Sequence, residues 1–325
     1  MTRAEIRARL DQEYAKRRAD AERDREERVR LAVERDPQIG QIQQQMRRLL
    51  AQAAREVMNR REEAHAISDA LRAQISALRA EISSRLLALG LPRDQLEMRY
   101  ACDACRDSGY VGELKNQECE CRRRRRLQLM RESANLSAHA GETFDQFDPG
   151  VFPEGAQRAQ AERARDLCAA YAGALPGGAK QNLVLMGASG LGKTFLLGCV
   201  ADRAIARGVD ALCITAFRMV EAMRAYHFGQ EDADAPLERL LNCELLLIDD
   251  LGAEPMLRNI TVEYLYMLIN ERGAAGRNTL IATNLSPAEI QDRYGARILS
   301  RLMDRRRGIF IHLEGQDVRY LTGNR

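Results

Sequence analysis

Long apolar runs are missing from this 325-residue chain. No stretch approaches the roughly 18 consecutive apolar residues that mark a membrane-spanning helix. The opening, Met1-Thr2-Arg3-Ala4-Glu5, has no apolar core of the kind that directs secretion. Cysteine is sparse, at 8 residues, which excludes a small secreted domain built on disulfides. An excess of one charge sign is also lacking. The 50 basic and 47 acidic residues leave a formal net charge of +3, so any basic surface for nucleic acid must be local. Glycine and proline are nearly absent from the first 90 residues, where only Pro37, Gly40 and Gly90 occur. These absences point to a soluble, cytoplasmic chain with no membrane partner, and the 45% apolar content supports a real core.

A stretch so poor in helix breakers and rich in Ala, Arg, Glu and Gln reads as helix. Asp36-Pro37 and Gly40 interrupt it once. Beyond them Ile42, Met46, Leu49, Ala53 and Val57 recur at spacings of three and four, as do Ile67, Leu71, Ile75, Leu78, Ile82 and Leu86. That is the seam of a helix hairpin or coiled coil, assigned to residues 1–98. It serves as a spacer or self-association element, or as a docking surface for a protein partner. Apolar positions thin out before Pro37, so the first helix is expected to be exposed and marginal.

Cysteine is sparse but clustered. Cys102-Asp-Ala-Cys105 is followed by Cys119-Glu-Cys121, with Gly109, Gly112 and Asn116 between them to turn the chain back. Four thiolates favour Zn²⁺ in a closed tetrahedral structural site, assigned to residues 99–126. Iron–sulfur ligation and a redox pair are the alternatives. Arg122 to Arg126 follow at once, a local positive charge for a nucleic-acid backbone or an acidic partner, opposed there by the helix dipole. Cys168, Cys199, Cys213 and Cys243 lie in apolar stretches and read as small core residues.

After a linker at 127–142, residues 143–325 alternate short apolar runs with helical stretches. Strands are expected at 182–186, 210–214, 244–249, 278–283 and 309–313. Helices are expected at 156–173, 193–207, 217–226, 258–272, 286–293 and 295–305. That alternation gives an α/β domain with a parallel sheet. Within it Gly187, Ala188, Ser189, Gly190, Leu191, Gly192, Lys193 and Thr194 form a phosphate-binding loop between a strand and a helix. Its backbone N–H groups cradle phosphates, Lys193 reaches the β- and γ-phosphates, and Thr194 ligates Mg²⁺. A second apolar strand ends in Asp249 and Asp250. Asp249 is placed to hold the Mg²⁺, and Asp250 to orient or activate the attacking water. Asn284, ending a third strand, is placed to sense the γ-phosphate or that water. Ser286-Pro287-Ala288-Glu289 reads as a helix start with a capping box. Arg293, Arg297, Arg301 and Arg305 recur at every fourth position as one cationic stripe on a helix. One member can enter a neighbouring subunit's γ-phosphate site. Arg319 can approach the phosphates from within the same chain.

Together these residues resemble the bacterial replicative-helicase loaders of the DnaC/DnaI type, a branch of the AAA+ ATPases. The resemblance runs through Thr143-Phe144-Asp145-Gln146-Phe147-Asp148, the phosphate loop, Leu247 to Gly252, Thr283-Asn284 and Tyr294 to Leu302. It ends at Asp317-Val318-Arg319 before Thr322-Gly323, where the match needs a small shift. It implies an AAA+ P-loop fold, with Phe144 and Phe147 near the adenine, Asn284 as first sensor, Arg301 as arginine finger and Arg319 as second sensor. Asp250, where AAA+ proteins usually carry Glu, implies a slow ATPase suited to a switch. The cysteine module, with Asp107-Ser108-Gly109-Tyr110, looks like the zinc-bearing region of the DnaI-type loaders. The implied function is ATP-dependent placement of a hexameric replicative DNA helicase on single-stranded DNA, with self-association in the ATP state and ATP/ADP, Mg²⁺ and Zn²⁺ as cofactors. The alternatives are a transposition-helper ATPase that remodels duplex DNA and a nucleotide-dependent scaffold with little turnover.

Overall fold

The computed structural model describes residues 1–59, 62, 64–139 and 141–321. Thr322 and Gly323, which end the resemblance, lie outside them. The chain divides into two compact units, one of residues 8–123 and one of residues 1–7 with 124 onward.

In the first unit three helices carry most of the chain: α1 (Arg3–Arg35, whose first turn belongs to the other unit), α2 (Pro37–Asn59) and α3 (Ala64–Ala88). Asp36 interrupts the first two and Pro37 opens α2, where its missing N–H is harmless. Gly40 does not break the helix. It lies within α2 against Val33, whose Cγ1 would stand 3.1 Å from an added Cβ. Ala32, Ile39, Ile42, Ile82 and Leu86 form a small core, with Met46, Leu78 and Leu96 against it. The first helix is not the exposed, marginal element expected. Leu10 and Tyr14 are each 1% exposed and Arg28 is buried too. A counting of aliphatic side chains overlooks a Tyr and an Arg that bury most of their length. A hairpin of two short strands, β1 (Tyr110–Val111) and β2 (Gln117–Glu118), carries the cysteine module, and α4 (Glu120–Ser133) follows, its residues from 124 on belonging to the other unit.

The second unit is built on five strands: β3 (Asn182–Gly187), β4 (Ala211–Thr215), β5 (Leu245–Leu251), β6 (Asn278–Thr283) and β7 (Gly308–Leu313). All pair in parallel in the order β4-β5-β6-β3-β7. The helices are α5 (Ala156–Ala174), α6 (Lys193–Ala206), α7 (Ala216–His227), α8 (Asp234–Asn242), α9 (Thr261–Ala274), α10 (Pro287–Tyr294) and α11 (Ala296–Leu302). Strands this apolar need cover on both faces. Leu183, Leu185, Leu245, Leu246, Leu247 and Ile248 are all fully buried, each worth about 1.5–3 kcal/mol of transfer free energy. The α/β class, the parallel sheet and all five strands stand where the sequence put them. Helix α8 was not foreseen. Among the described residues no helix is long and apolar enough to cross a membrane.

One expectation fails in the second unit. Arg293, Arg297, Arg301 and Arg305 do not share a helix. Gly295, at φ 89°, ends α10 after Tyr294, and α11 stops at Leu302, short of Arg305. A positive φ at Gly breaks the register that an every-fourth-residue pattern presumes.

Candidate ATP site and metal centre

Strand β3 ends at Gly187, and the loop that follows wraps into the N-terminus of α6. Gly187 stands at φ 139° and a Cβ there would lie 2.1 Å from the Leu313 carbonyl oxygen. Gly190 stands at φ 73° and a Cβ there would lie 1.7 Å from Asp317 Oδ1. Only glycine lets the loop pass these two neighbours. Lys193 is 6% exposed, and its Nζ donates to the carbonyls of Gly187 at 2.8 Å and Ala188 at 2.7 Å. Burial pulls its ammonium below the usual lysine range, against the nearby charges of Asp250 and Asp249.

Strand β5 carries the acids through an irregularity in its pairing. Ile248 pairs with Ile281 and Leu251 with Thr283, so two residues, Asp249 and Asp250, oppose Ala282 alone. The bulge turns Asp250 to φ 53° and exposes it, while Asp249 stays buried. Thr194 Oγ1 donates to Asp249 Oδ1 at 3.2 Å, and the Asp250 N–H donates to the same oxygen at 3.1 Å. Burial, then the neighbouring Asp250 charge, pushes the Asp249 carboxyl up from its usual range. Two oxygens about 3 Å apart fit adjacent positions around an octahedral Mg²⁺. Thr194 and Asp249 would hold that ion, which would offset the burial cost of Asp249 and draw charge from the phosphates.

A cavity of about 400 Å³ gathers Ser189, Gly190, Gly192, Lys193, Thr194, Phe195, Asp250, Asn284 and Arg319. Asn284 and Arg319, expected at the phosphates, therefore share the cavity with the loop. Arg319 is also held by Asp317, at 2.8 Å. The Val318 N–H donates to the Gly190 carbonyl at 3.0 Å, binding this C-terminal turn to the phosphate loop. Arg301 is not among these residues. It lines a separate cavity with Arg297, Ser300, Asp304 and Arg305. Phe144 and Phe147 do not line the phosphate cavity either. Arg203 of α6 sits over the Phe144 ring at 4.4 Å, and Phe147 packs on Phe152 and Phe195 at 5.9 and 6.3 Å.

Sequence reasoning missed three contributors. Phe195 lines the cavity one residue beyond the phosphate-loop pattern. Asp317 wedges beside Gly190 and orients Arg319. Glu254, with its side chain fully buried, accepts the Gly252 N–H at 2.8 Å and the Tyr294 hydroxyl, and pairs with Arg293 at 3.5 Å. It ties the chain after β5 to α10. The signal for Glu254 was a lone acid two residues after Gly252, which no motif spacing marks.

In the first unit, the Sγ atoms of Cys102, Cys105, Cys119 and Cys121 all lie within 4.8 Å of one another. Cys102 and Cys119 are 3.9 Å apart and Cys105 and Cys121 3.6 Å. Thiolates at 2.3 Å from a tetrahedral Zn²⁺ stand about 3.8 Å apart, so this donor set fits such an ion as a closed, structural centre. The surrounding groups fix the ligands. Buried Asp107 accepts the N–H groups of Ala101 and Cys102, the Tyr14 hydroxyl donates to Cys121 Sγ at 3.1 Å, and the Cys119 N–H donates to Gly109. Arg122 is not part of a free basic run. It is buried against the Tyr14 and Tyr110 rings and paired with Asp11 at 2.5 Å. The other four cysteines are buried in the second unit, as core residues.

Fold and site define an ATP-binding protein of AAA+-like α/β architecture, carrying a cysteine cluster that can bind a metal. Residues 98–314 match the model of the IstB-like ATP binding proteins, and the chain belongs to that family. It is similar to an insertion sequence IS1162 putative ATP-binding protein of Pseudomonas fluorescens, 27% identical over 33% of this chain and 45% of that one. It is similar as well to the replicative helicase loader DnaI of Bacillus subtilis, 24% identical over 54% of this chain and 56% of that one. The chain thus spans about half the length of these curated relatives. A crystal structure of the DnaC helicase loader aligns over 55% of this chain and 99% of its own, with a TM-score of 0.47 and 19% identity.

Proposed function

We propose that this chain is an ATP-driven switch that assembles on duplex DNA and remodels it, in the manner of a transposition helper. The observation that carries the proposal is the split site. Lys193, Thr194, Asp250, Asn284 and Arg319 share one cavity, while Arg301 lines another. An ATPase that lacks its arginine finger within the chain gains it from a neighbour, so hydrolysis follows assembly. In this reading the loop N–H groups and Lys193 bind the phosphates, and Thr194 and Asp249 hold the metal. Asp250 orients the attacking water, Asn284 reads the γ-phosphate and Arg319 contacts it from within the chain. Phe147, packed on Phe195, bounds the adenine side with Phe144. An aspartate in place of the usual glutamate makes turnover slow.

The DNA task follows the family match together with the similarity to an insertion-sequence ATP-binding protein. The helicase-loader reading, with single-stranded DNA and a hexameric replicative helicase as partners, is the second. It is supported by the similarity to DnaI and by the cysteine module ahead of the ATPase fold. The test combines ATPase assays with electron microscopy of the purified full chain, offering duplex DNA, single-stranded DNA, or single-stranded DNA with a hexameric helicase. Cooperative filaments and stimulated hydrolysis on duplex DNA are expected. Stimulation only with the helicase present would replace the first reading by the second. ATP binding without turnover in every arm would leave a scaffold and overturn both.

A further inference from the structure

The helical unit holds a groove that the ATP site and the cysteine module do not use. Its rim carries four arginines from four segments: Arg25 on α1, Arg47 on α2, Arg79 on α3 and Arg93 in the loop after α3. Its floor is apolar, made by Met46, Leu50, Ile82 and Leu96, and Leu50 is 51% exposed. The space between is about 360 Å³, and Glu97 is the sole carboxylate among the described lining residues. Arg47, Arg79 and Arg93 have no hydrogen bond or ion pair among the described residues, although α1 to α3 are otherwise laced with such pairs, as at Arg30–Glu27, Arg72–Asp69 and Arg85–Glu81.

The groove is preformed. Arg25 Nε donates to the Leu96 carbonyl at 2.9 Å, and buried Arg28 donates to the carbonyls of Gln95 and Glu97 while pairing with Asp24. Two arginines of α1 thereby fix the loop that forms one wall. Like charges converging around an exposed apolar floor, with Glu97 the one carboxylate among the described lining residues against four guanidiniums, repel one another. An acidic occupant relieves that repulsion.

We propose that this groove receives an acidic, amphipathic helix of a partner protein. Leu, Ile or Met side chains at three- and four-residue spacing would cover Met46, Leu50, Ile82 and Leu96, and flanking carboxylates would meet the guanidinium forks in bidentate pairs. Nucleic acid fits less well. Among the described residues no aromatic ring lines the groove for a base to stack on, and a phosphate backbone resting on the arginines would leave the apolar floor uncovered. The proposal does not rest on the function proposed for the ATP site.

The test is a selection of displayed random peptides, about five helical turns long, on the whole 325-residue chain and on an Arg47→Glu/Arg79→Glu/Arg93→Glu variant. These arginines hold no partner among the described residues, so the variant should keep its melting transition. If it does not, the single variants Arg47→Glu and Arg79→Glu take its place. Peptides combining Asp or Glu with Leu, Ile or Met at helical spacing are expected to be enriched on the parent protein. The best of them, synthesised, should bind the variant about tenfold more weakly or worse, as the sum of several partly exposed ion pairs. No enrichment over the variant, or enrichment of neutral peptides, would overturn the proposal. So would a loss of single-stranded or duplex oligonucleotide binding in the variant without any peptide preference, which would give the arginines to nucleic acid.

Discussion

At the residue scale the ATP site is set up against its own stability. Burial, then the neighbouring Asp250 charge, holds the Asp249 carboxyl above its usual range. At neutral pH such a group opposes folding, and the effect disappears below its ordinary value of 3.8. Asp249→Asn keeps an oxygen for the Thr194 hydroxyl and the Asp250 N–H. It should raise the melting temperature of nucleotide-free protein by about 2–4 °C in calorimetry while abolishing Mg²⁺-dependent hydrolysis. A second titration lies at His139. Hydrogen bonding to Cys213, then to Glu142 at 2.8 Å, raises its imidazole to about 10 from 6.5. A raised folded-state value stabilises the protonated form. That contribution is full below pH 6.5 and is lost as pH climbs through about 10. His139→Gln should flatten this part of the stability–pH profile in urea titrations. Motif residues were legible one by one, because Gly187, Lys193, Thr194 and Asp249 must occur at fixed places along the chain. Tyr14 and Glu254 were not, nor was the contact of Asp317 with Gly190, because each acts through a contact that only folding creates.

At the element scale, period and punctuation did most of the work. The capping box read at Ser286 and Glu289 is present, with the Ser286 hydroxyl accepting the Glu289 N–H at 3.3 Å and Glu289 accepting the Ser286 N–H at 2.8 Å. The arginine stripe misled, since spacing alone does not reveal that Gly295 turns the chain between its first two members. What the break produces is two differently placed sets. Arg293 is held by Glu254, and Arg297 and Arg301 are exposed on α11. Arg301→Ala should therefore leave nucleotide affinity unchanged in a fluorescent-ATP titration. Assembly-dependent turnover should fall by about a thousandfold. Equal turnover in assembled parent and variant would remove the intersubunit role.

At the scale of the whole molecule, the parallel sheet followed from strands and helices alternating in the sequence. Its order, with β3 between β6 and β7, did not, because neighbour choice is a tertiary matter. The sheet brings the ends of β3, β5 and β6 to one edge, where ligands of such folds bind. The division into two units gives a separate prediction. A strong Zn²⁺ chelator should release about one zinc per chain and destabilise the unit that contains Cys102 to Cys121, seen as a lowered melting temperature in calorimetry. ATP affinity of the other unit should change by less than about twofold. Cys121→Ser should release the metal without any chelator.

The hydrogen bond from Val318 to Gly190, with Asp317 lodged where a Gly190 side chain would be, couples two stretches far apart in sequence. The phosphate loop thus has its shape partly held from the C-terminal turn. A protease that cuts near Gln316 should silence ATP binding although every residue of the loop survives, and bound ATP should in turn shield that peptide bond from the protease.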